Sequence, residues 1–315
     1  MTDEAFLRAR ERPADAAAEY PPLPEALVVP VYDNHTHLEI EDGISPLDYR
    51  EQLDRASSVG VRGVVQVGTD LETSRWSAEI AAREPRVLAA VALHPNDAPE
   101  LAARGLLDEH LAGIAELTAR PRVRAIGETG LDFYRTGEDG RDAQYRSFEA
   151  HIELAKQSGL ALQIHDRDAH REVVDTLHRV GAPERVVFHC FSGDAEFAQL
   201  VADEGWYLSF AGTVTFKNAQ HLRDALEVVP RSRLLVETDA PYLTPVPFRG
   251  RPNSAYLIPL TLRSMAATLG TDVSMLAALI SSNTEEVYGR WDDEPVDAPP
   301  GPFEPHDEVT SNGHD

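Results

Sequence analysis

Short apolar runs recur along the middle of the chain, and between them apolar residues return every three or four positions. The runs are "LVVPVYDNH" (27–35), "GVVQVGT" (63–69), "VLAAVALH" (87–94) and "VRAIGET" (123–129), then "ALQIH" (161–165), "RVVFHC" (185–190), "WYLSFAG" (206–212) and "RLLVETDA" (233–240). Stretches such as "DAQYRSFEAHIELAKQSG", "RDAHREVVDTLHRVG" and "DAEFAQLVADEG" separate them, and many stop at a glycine suited to ending a helix. The runs are nearly continuous in apolar residues, as strands are when both faces of a parallel sheet are covered. Eight strands alternating with helices over about 265 residues match the size of an α/β (β/α)8 TIM barrel, about 250 residues. A doubly wound open sheet is the alternative, weakened because the chain has neither a glycine-rich dinucleotide fingerprint nor a P-loop.

The two ends read differently. "RPADAAAEYPPLPEA" is rich in Ala and Pro, and "WDDEPVDAPPGPFEPHDEVTSNGHD" is acidic and Pro-rich. Neither holds enough apolar surface to order itself. The expected division is therefore a disordered extension over 1–26, one barrel domain over 27–291, and an acidic disordered tail over 292–315. The formal net charge of the 315 residues is −24. The extension has six acids against three arginines and the tail eight acids with no Lys or Arg, which leaves −13 for the barrel. Such a surface repels polyanions at long range and argues against loose duplex binding through a broad basic face. It does not prevent a metal-lined cleft from gripping one phosphodiester locally. No apolar run approaches the roughly 20 residues that span a bilayer. The charged N-terminus lacks the apolar core of a secretory signal. The single cysteine, Cys190, excludes an internal disulfide and fits a reducing compartment. A cytoplasmic protein with no membrane contact is expected, its oligomeric state left open.

The barrel assignment predicts where chemistry belongs, at the C-terminal ends of the strands. His35 and His37 leave the first strand, His94 the third, Glu128 the fourth, His165 the fifth and His189 the sixth, with Glu237 and Asp239 leaving the eighth. His35 and His37 stand two apart, so on a strand they share a face. An HxH pair alone is weak evidence, because two polar residues at a strand exit explain it equally well. Convergence with Glu128, His165, His189 and Asp239 on one rim points to metal. Imidazole and carboxylate without thiolate suit Zn2+ or Mn2+, and Mg2+ with more oxygen ligands. Six ligands exceed what one tetrahedral ion needs, so two divalent ions are expected, with Glu128 able to bridge them. Cys190 follows His189 directly and is expected to face away from the site. Asp132 in "IGETGLDFY" is either an acceptor behind a ligand histidine or a loop cap. Asp33 either orients a histidine or is a buried acid in the barrel, and because a buried acid needs a partner a role at the site is favoured. Arg135, Arg167, Lys217, Arg249 and Arg251 are the cations near the rim, and arginines there could hold phosphate oxygens.

"DNHTHLE", "ALHPND", "AIGETGLDFY", "QIHDRDAHREV", "VFHCFSGD", "VPRSRLLVETDAPYLTPVPFRGRPNSA" and "SSNTEEVYG" follow one another, over about 28–289, in an order that resembles the TatD-like metal-dependent deoxyribonucleases. The resemblance implies a barrel metallohydrolase with two cations. The first would be bound by His35, His37, Glu128 and Asp239, and the second by Glu128, His165 and His189. His94 would contact substrate phosphate, joined at the rim by Arg167 and Arg249. The expected reaction is hydrolysis of DNA phosphodiesters, 3′ to 5′ from single-stranded or frayed ends, by a hydroxide bridging the ions with Asp239 as general base. Two departures stand out: "THLE" replaces the usual "CHLD", and Phe248 stands where relatives often carry His. A binuclear amidohydrolase or lactonase acting on a small carbonyl substrate is the alternative, since the same hydroxide can attack carbon. A non-catalytic barrel that binds a partner is a third reading.

Overall fold

In the computed structural model, which describes residues 8–10, 19–294 and 296, eight strands hydrogen-bond side by side in chain order, every pair parallel. They are β1 (Val31–Thr36), β2 (Val61–Val67), β3 (Val87–Val91), β4 (Val123–Asp132), β5 (Ala161–Arg167), β6 (Val186–Phe188), β7 (Tyr207–Phe210) and β8 (Leu234–Val236). The ring closes just above β8, where a bridge joins Thr36 to Ala240. There the His37 amide donates to the Ala240 carbonyl (2.8 Å) and the Asp239 amide to that of His35 (3.0 Å). The expected (β/α)8 barrel is thus the observed architecture. His94, His189, Glu237 and Asp239 lie one to three residues past their strands rather than inside them.

Two apolar layers hold the barrel. Val31, Val64, Val91, Ile126, Ile164, Phe188 and Phe210 face the surrounding helices and join their buried residues in one cluster. Tyr32, Val65, Val67, Leu88, Ala90, Ala125, Val187, Tyr207 and Leu235 fill the interior, closed from below by Tyr288 and Trp291. The helices begin where capping residues allow. Asp48 accepts from the Glu51 amide ahead of α1 (Tyr49–Ser58), and Asp70 forms a reciprocal capping box with Thr73 ahead of α2 (Leu71–Arg83).

Two bulges decide which residues face the axis. Tyr32 points inward, so strict alternation would next bring in residues 34 and 36. Between Asp33 and Thr36, however, β1 carries one residue more than β2 between Val64 and Gln66. The extra residue switches the alternation and turns His35 and His37 inward. The same happens in β4, where Ile126 to Thr129 opposes Leu162 to Ile164 and brings Glu128 inward after Ala125.

The ends correct the expected division. Arg8–Ala9 pairs in parallel with Ile40–Glu41, and Arg10 donates to the Asp42 carboxylate (3.0 Å) and the Pro241 carbonyl (2.6 Å). Arg251 holds the carbonyls of Glu19 and Tyr20, both at 2.9 Å, and the Tyr256 hydroxyl holds that of Pro21 (2.6 Å). These parts of the extension are therefore ordered. Their few apolar and arginine contacts to the barrel do what the segment could not do alone. At the other end Trp291 stacks on Tyr32 (4.0 Å between rings), and the buried Arg122 binds the carbonyls of Trp291 and Glu294. Order thus runs through Glu294; the rest of the expected tail, apart from residue 296, lies outside the described residues. Among the described residues no single helix is long and apolar enough to cross a membrane.

Gly130 lets β4 run against β5. Its φ is +145°, and a Cβ there would lie 2.0 Å from the His165 carbonyl oxygen. Gly130→Ala should cost about 3 kcal/mol or more, because backbone strain is joined by a collision with backbone that cannot move. Gly105→Ala, at φ +70° with nothing within 4 Å of the added carbon, should cost only about 1–2 kcal/mol. Urea unfolding of the two variants checks the difference.

Candidate metal centre

The donors gather where the barrel closes. Asp33 does not touch the ring of either histidine. Its carboxylate accepts from the His35 amide (3.2 Å), the Thr238 amide (2.9 Å) and the Thr238 hydroxyl, so it ties β1 to the loop carrying Asp239. Burial pushes the Asp33 carboxyl up to about 7. Of its two expected roles, the buried acid with another partner is the one found.

Each histidine is aimed by the group behind it. Gln163 donates through its amide nitrogen to the Asn34 carbonyl (2.8 Å), which turns its oxygen toward His35 Nδ1 (3.1 Å). His35 therefore carries its proton on Nδ1 and presents Nε2. His37 Nδ1 donates to the Val67 carbonyl (3.0 Å), and His189 Nδ1 to Glu237 (3.3 Å), with the same result. His165 is reversed: Nε2 faces Asp132 (3.3 Å) and Nδ1 faces Glu128 (3.2 Å). Asp132 is itself held by Asn96 (3.1 Å) and by the Arg135 amide (2.8 Å), so it fills both roles expected of it. Such backing carboxylates and carbonyls fix the tautomer and aim of metal-binding imidazoles.

Glu128 faces both halves of the site. Its Oε1 lies 3.8 Å from His35 Nε2 and 3.6 Å from His37 Nε2. Its Oε2 lies 2.8 Å from His189 Nε2, 3.2 Å from His165 Nδ1 and 3.9 Å from His94 Nε2. Asp239 Oδ1 completes the first half at 3.9 Å from His35 and 3.6 Å from His37, whose own Nε2 atoms stand 3.3 Å apart. Ligands at about 2.0–2.2 Å around a tetrahedral ion are separated by roughly 3.3–3.6 Å, and His35, His37 and Glu128 form one group, able to hold a divalent cation, whose donor atoms all lie within 4.8 Å of one another. His35, His189 and Asp239 form another such group, and His94, Glu128 and His165 a third.

Burial and charge oppose each other here. Burial, with His189 and His37 close by, holds His35 well below the usual imidazole range. Burial also pulls His37 down, but Asp239, Glu39 and Glu128 outweigh it and raise the imidazole to about 9. His189 is raised well above its ordinary value because Glu128 and Glu237 overcome its burial. Glu128 is held well below the carboxylate range although burial pushes it up, since His189, His94 and His165 all favour its charge. Glu39, at the departure "THLE", is buried, accepts from Gln66 (2.7 Å) and stands behind His37.

Above these residues opens a cleft of about 630 Å³ that includes His94, Asp132, Arg135, Arg167 and Tyr242 in its lining. Arg249 is not among the lining residues; its guanidinium lies on the Phe216 ring (4.3 Å). Lys217 and Arg251 do not line it either, and Arg251 binds the extension instead. Cys190 does line it, against the expectation that it faces away. β6 ends at Phe188 and Cys190 takes φ +43°, so strand alternation no longer governs its direction. Arg8 also lines the cleft, and it escaped sequence reading because it lies in the Ala- and Pro-rich extension. Gln163 was legible as an inward position on β5, two residues before His165, and Glu237 stands one residue past β8, two before Asp239.

A closed parallel barrel with converging imidazoles and carboxylates at its C-terminal rim defines a metal-dependent hydrolase. The family model described as TatD related DNase matches residues 32–289. The chain is 44% identical over 261 residues to the Mycobacterium tuberculosis protein named "Uncharacterized metal-dependent hydrolase TatD", covering 82% of this chain and 97% of the relative. It is 34% identical over 249 residues to the Escherichia fergusonii "3′-5′ ssDNA/RNA exonuclease TatD", covering 77% and 93%. Among solved structures, the TatD homologue YJJV of Escherichia coli superposes with a TM-score of 0.74 at 26% identity, over 82% of this chain and 98% of that one. The chain belongs to the TatD family of metal-dependent hydrolases.

Metal binding should release protons at pH 7. His37, at about 9, keeps its proton at that pH in the metal-free chain, and Glu128 and Glu237 shift His189 in the same direction. A protonated imidazole must lose a proton to bind metal, so affinity should rise from pH 6 toward about pH 9 and weaken in acid. Calorimetric titration with Mn2+ or Zn2+ in buffers of different ionisation enthalpy reads this directly. Heats independent of buffer would count against it.

Proposed function

We propose that this chain hydrolyses DNA phosphodiester bonds as a two-cation 3′ to 5′ exonuclease on single-stranded or frayed ends. The observation that carries the reading is Glu128, whose two oxygens face two donor groups at the floor of an arginine-rimmed cleft. The direction and the single-stranded substrate are supported by the name of the Escherichia fergusonii relative.

His35, His37, Glu128 and Asp239 would hold one ion, and Glu128, His165 and His189 the other. Mg2+, Mn2+ or Zn2+ bound there would supply an acidified water and positive charge against the phosphoryl oxygens. Asp239 accepts the proton of the attacking water: it is the most exposed carboxylate among the ligands and lies open to the cleft. His94 contacts the phosphate rather than a metal. The Asn96 amide donates to its Nδ1 (3.1 Å), and burial beside His165 lowers its pKa to about 3. Neutral His94 therefore keeps its proton on Nε2, a donor for a phosphoryl oxygen and unsuited to coordination. Arg135 and Arg167 line the same cleft and can bind flanking phosphates.

Asp239→Asn and His165→Ala should each lower EDTA-sensitive cleavage of 3′-labelled single-stranded oligonucleotides by about 100- to 10,000-fold. Activity retained in both folded variants would sink the assignment. Hydrolysis of lactones or cyclic amides with DNA left intact would move the chain to the carbonyl-hydrolase reading.

A further inference from the structure

Among the described residues Tyr134 is the most exposed aromatic side chain, at 65%. It stands two residues past the end of β4, in the turn that leads away from the metal centre. That turn is fixed. The Asp132 carboxylate accepts from the Arg135 amide (2.8 Å), the Asp132 carbonyl accepts from the Thr136 amide (3.2 Å), and the Phe133 amide donates to the Arg167 carbonyl (2.9 Å). Phe133 turns back onto the barrel, against Tyr145 (6.1 Å between rings) and under Arg141 (4.0 Å), while Tyr134 turns out. Asp132 also backs His165, so one carboxylate sets both a metal-centre imidazole and the turn that presents the ring.

A single exposed ring needs no explanation by itself. Its neighbours supply one. The Arg167 guanidinium lies 4.0 Å over the Tyr134 ring, a cation–π contact that covers one face and leaves the other toward solvent. Arg167 ends β5 two residues past His165 and lines the cleft, as does Arg135, the next residue after Tyr134. A guanidinium whose flat face rests on a ring still offers its N–H edge to phosphate. One arc of the rim thus combines a flat aromatic face with two cations. Single strands are bound by that combination, with bases stacked on rings and the backbone following the positive charge. A base inside a duplex is already stacked on its neighbours, so such a ring takes an unpaired or frayed one. On a chain of net charge −24, stacking adds affinity that the surrounding charge does not oppose.

We propose that Tyr134 is a base platform at the lip of the cleft. An unpaired nucleobase stacks on its open face, and Arg167, held against the other face, and Arg135 bind the adjoining phosphates. This inference deepens the nuclease reading above and rests on it. It assigns the grip on single-stranded or frayed ends to one ring and its arginine neighbours.

The test is steady-state cleavage of labelled single-stranded oligonucleotides by the full chain. Tyr134→Ala should raise KM by about 5- to 150-fold, the range that loss of one base–aromatic stack spans, with the smaller change in kcat. Tyr134→Phe keeps the ring without its hydroxyl and should retain the wild-type KM. An abasic residue moved one position at a time from the 3′ end should, at one position, raise the wild-type KM by the same factor. At that position it should leave the KM of Tyr134→Ala unmoved, because the stack is already lost. An unchanged KM in Tyr134→Ala, or an equal abasic penalty in both proteins at every position, would overturn the platform and leave the nuclease intact. A raised KM that Tyr134→Phe shares would overturn it as well, since the hydroxyl would then carry the effect. A wild-type protein that cleaves no DNA in any metal would overturn both readings.

Discussion

Closure of the barrel between its first and last strands is the constraint on which the rest depends. β8 is short, and the seam is completed beyond it by backbone bonds from His37 and Asp239 and by the Asp33 carboxylate. The residues that close the sheet are also those that carry His35, His37 and Asp239. Fold and site therefore share their hydrogen bonds. A buried carboxylate that accepts from both sides of the seam is costly to desolvate, but its partners are fixed backbone and a fixed hydroxyl. This makes the relative position of the two strand exits a property of the fold rather than of the loops.

Around that seam the protein has concentrated ionisable groups that oppose one another. Glu128 and Asp239 favour protonated histidines, burial disfavours them, and Glu237, Asp132 and Gln163 hold the rings in set orientations. A divalent cation held there would resolve the conflict, because it would take the place of the protons and leave the bonds behind the rings untouched. The two-sided placement of Glu128 follows from the bulge in β4, which turns its side chain toward the axis.

Much of this was legible in the chain. Near-continuous apolar runs identified the strands, because both barrel faces are buried, and five of the six ligand candidates stood within one residue of the run ends. The series of motifs identified the family, since it spans almost the whole ordered core. The loop arginines were not separable by sequence. Arg167 lines the cleft, Arg249 stacks on Phe216 and Arg251 holds the extension, yet all three sit in polar stretches at or beyond the end of a strand.

The sequence by itself determined the barrel, the residue types of the centre and the rim on which they meet, because these follow from hydrophobic period and from the ends of strands. Only the tertiary structure decided direction and partnership. The bulges in β1 and β4, the turn that brings Cys190 into the cleft and the ordering of Arg8 all depend on contacts between segments far apart in the chain. A local pattern cannot encode a register shift whose energy lies in its neighbour strand, nor the order of a tail that is stable only against the surface it covers.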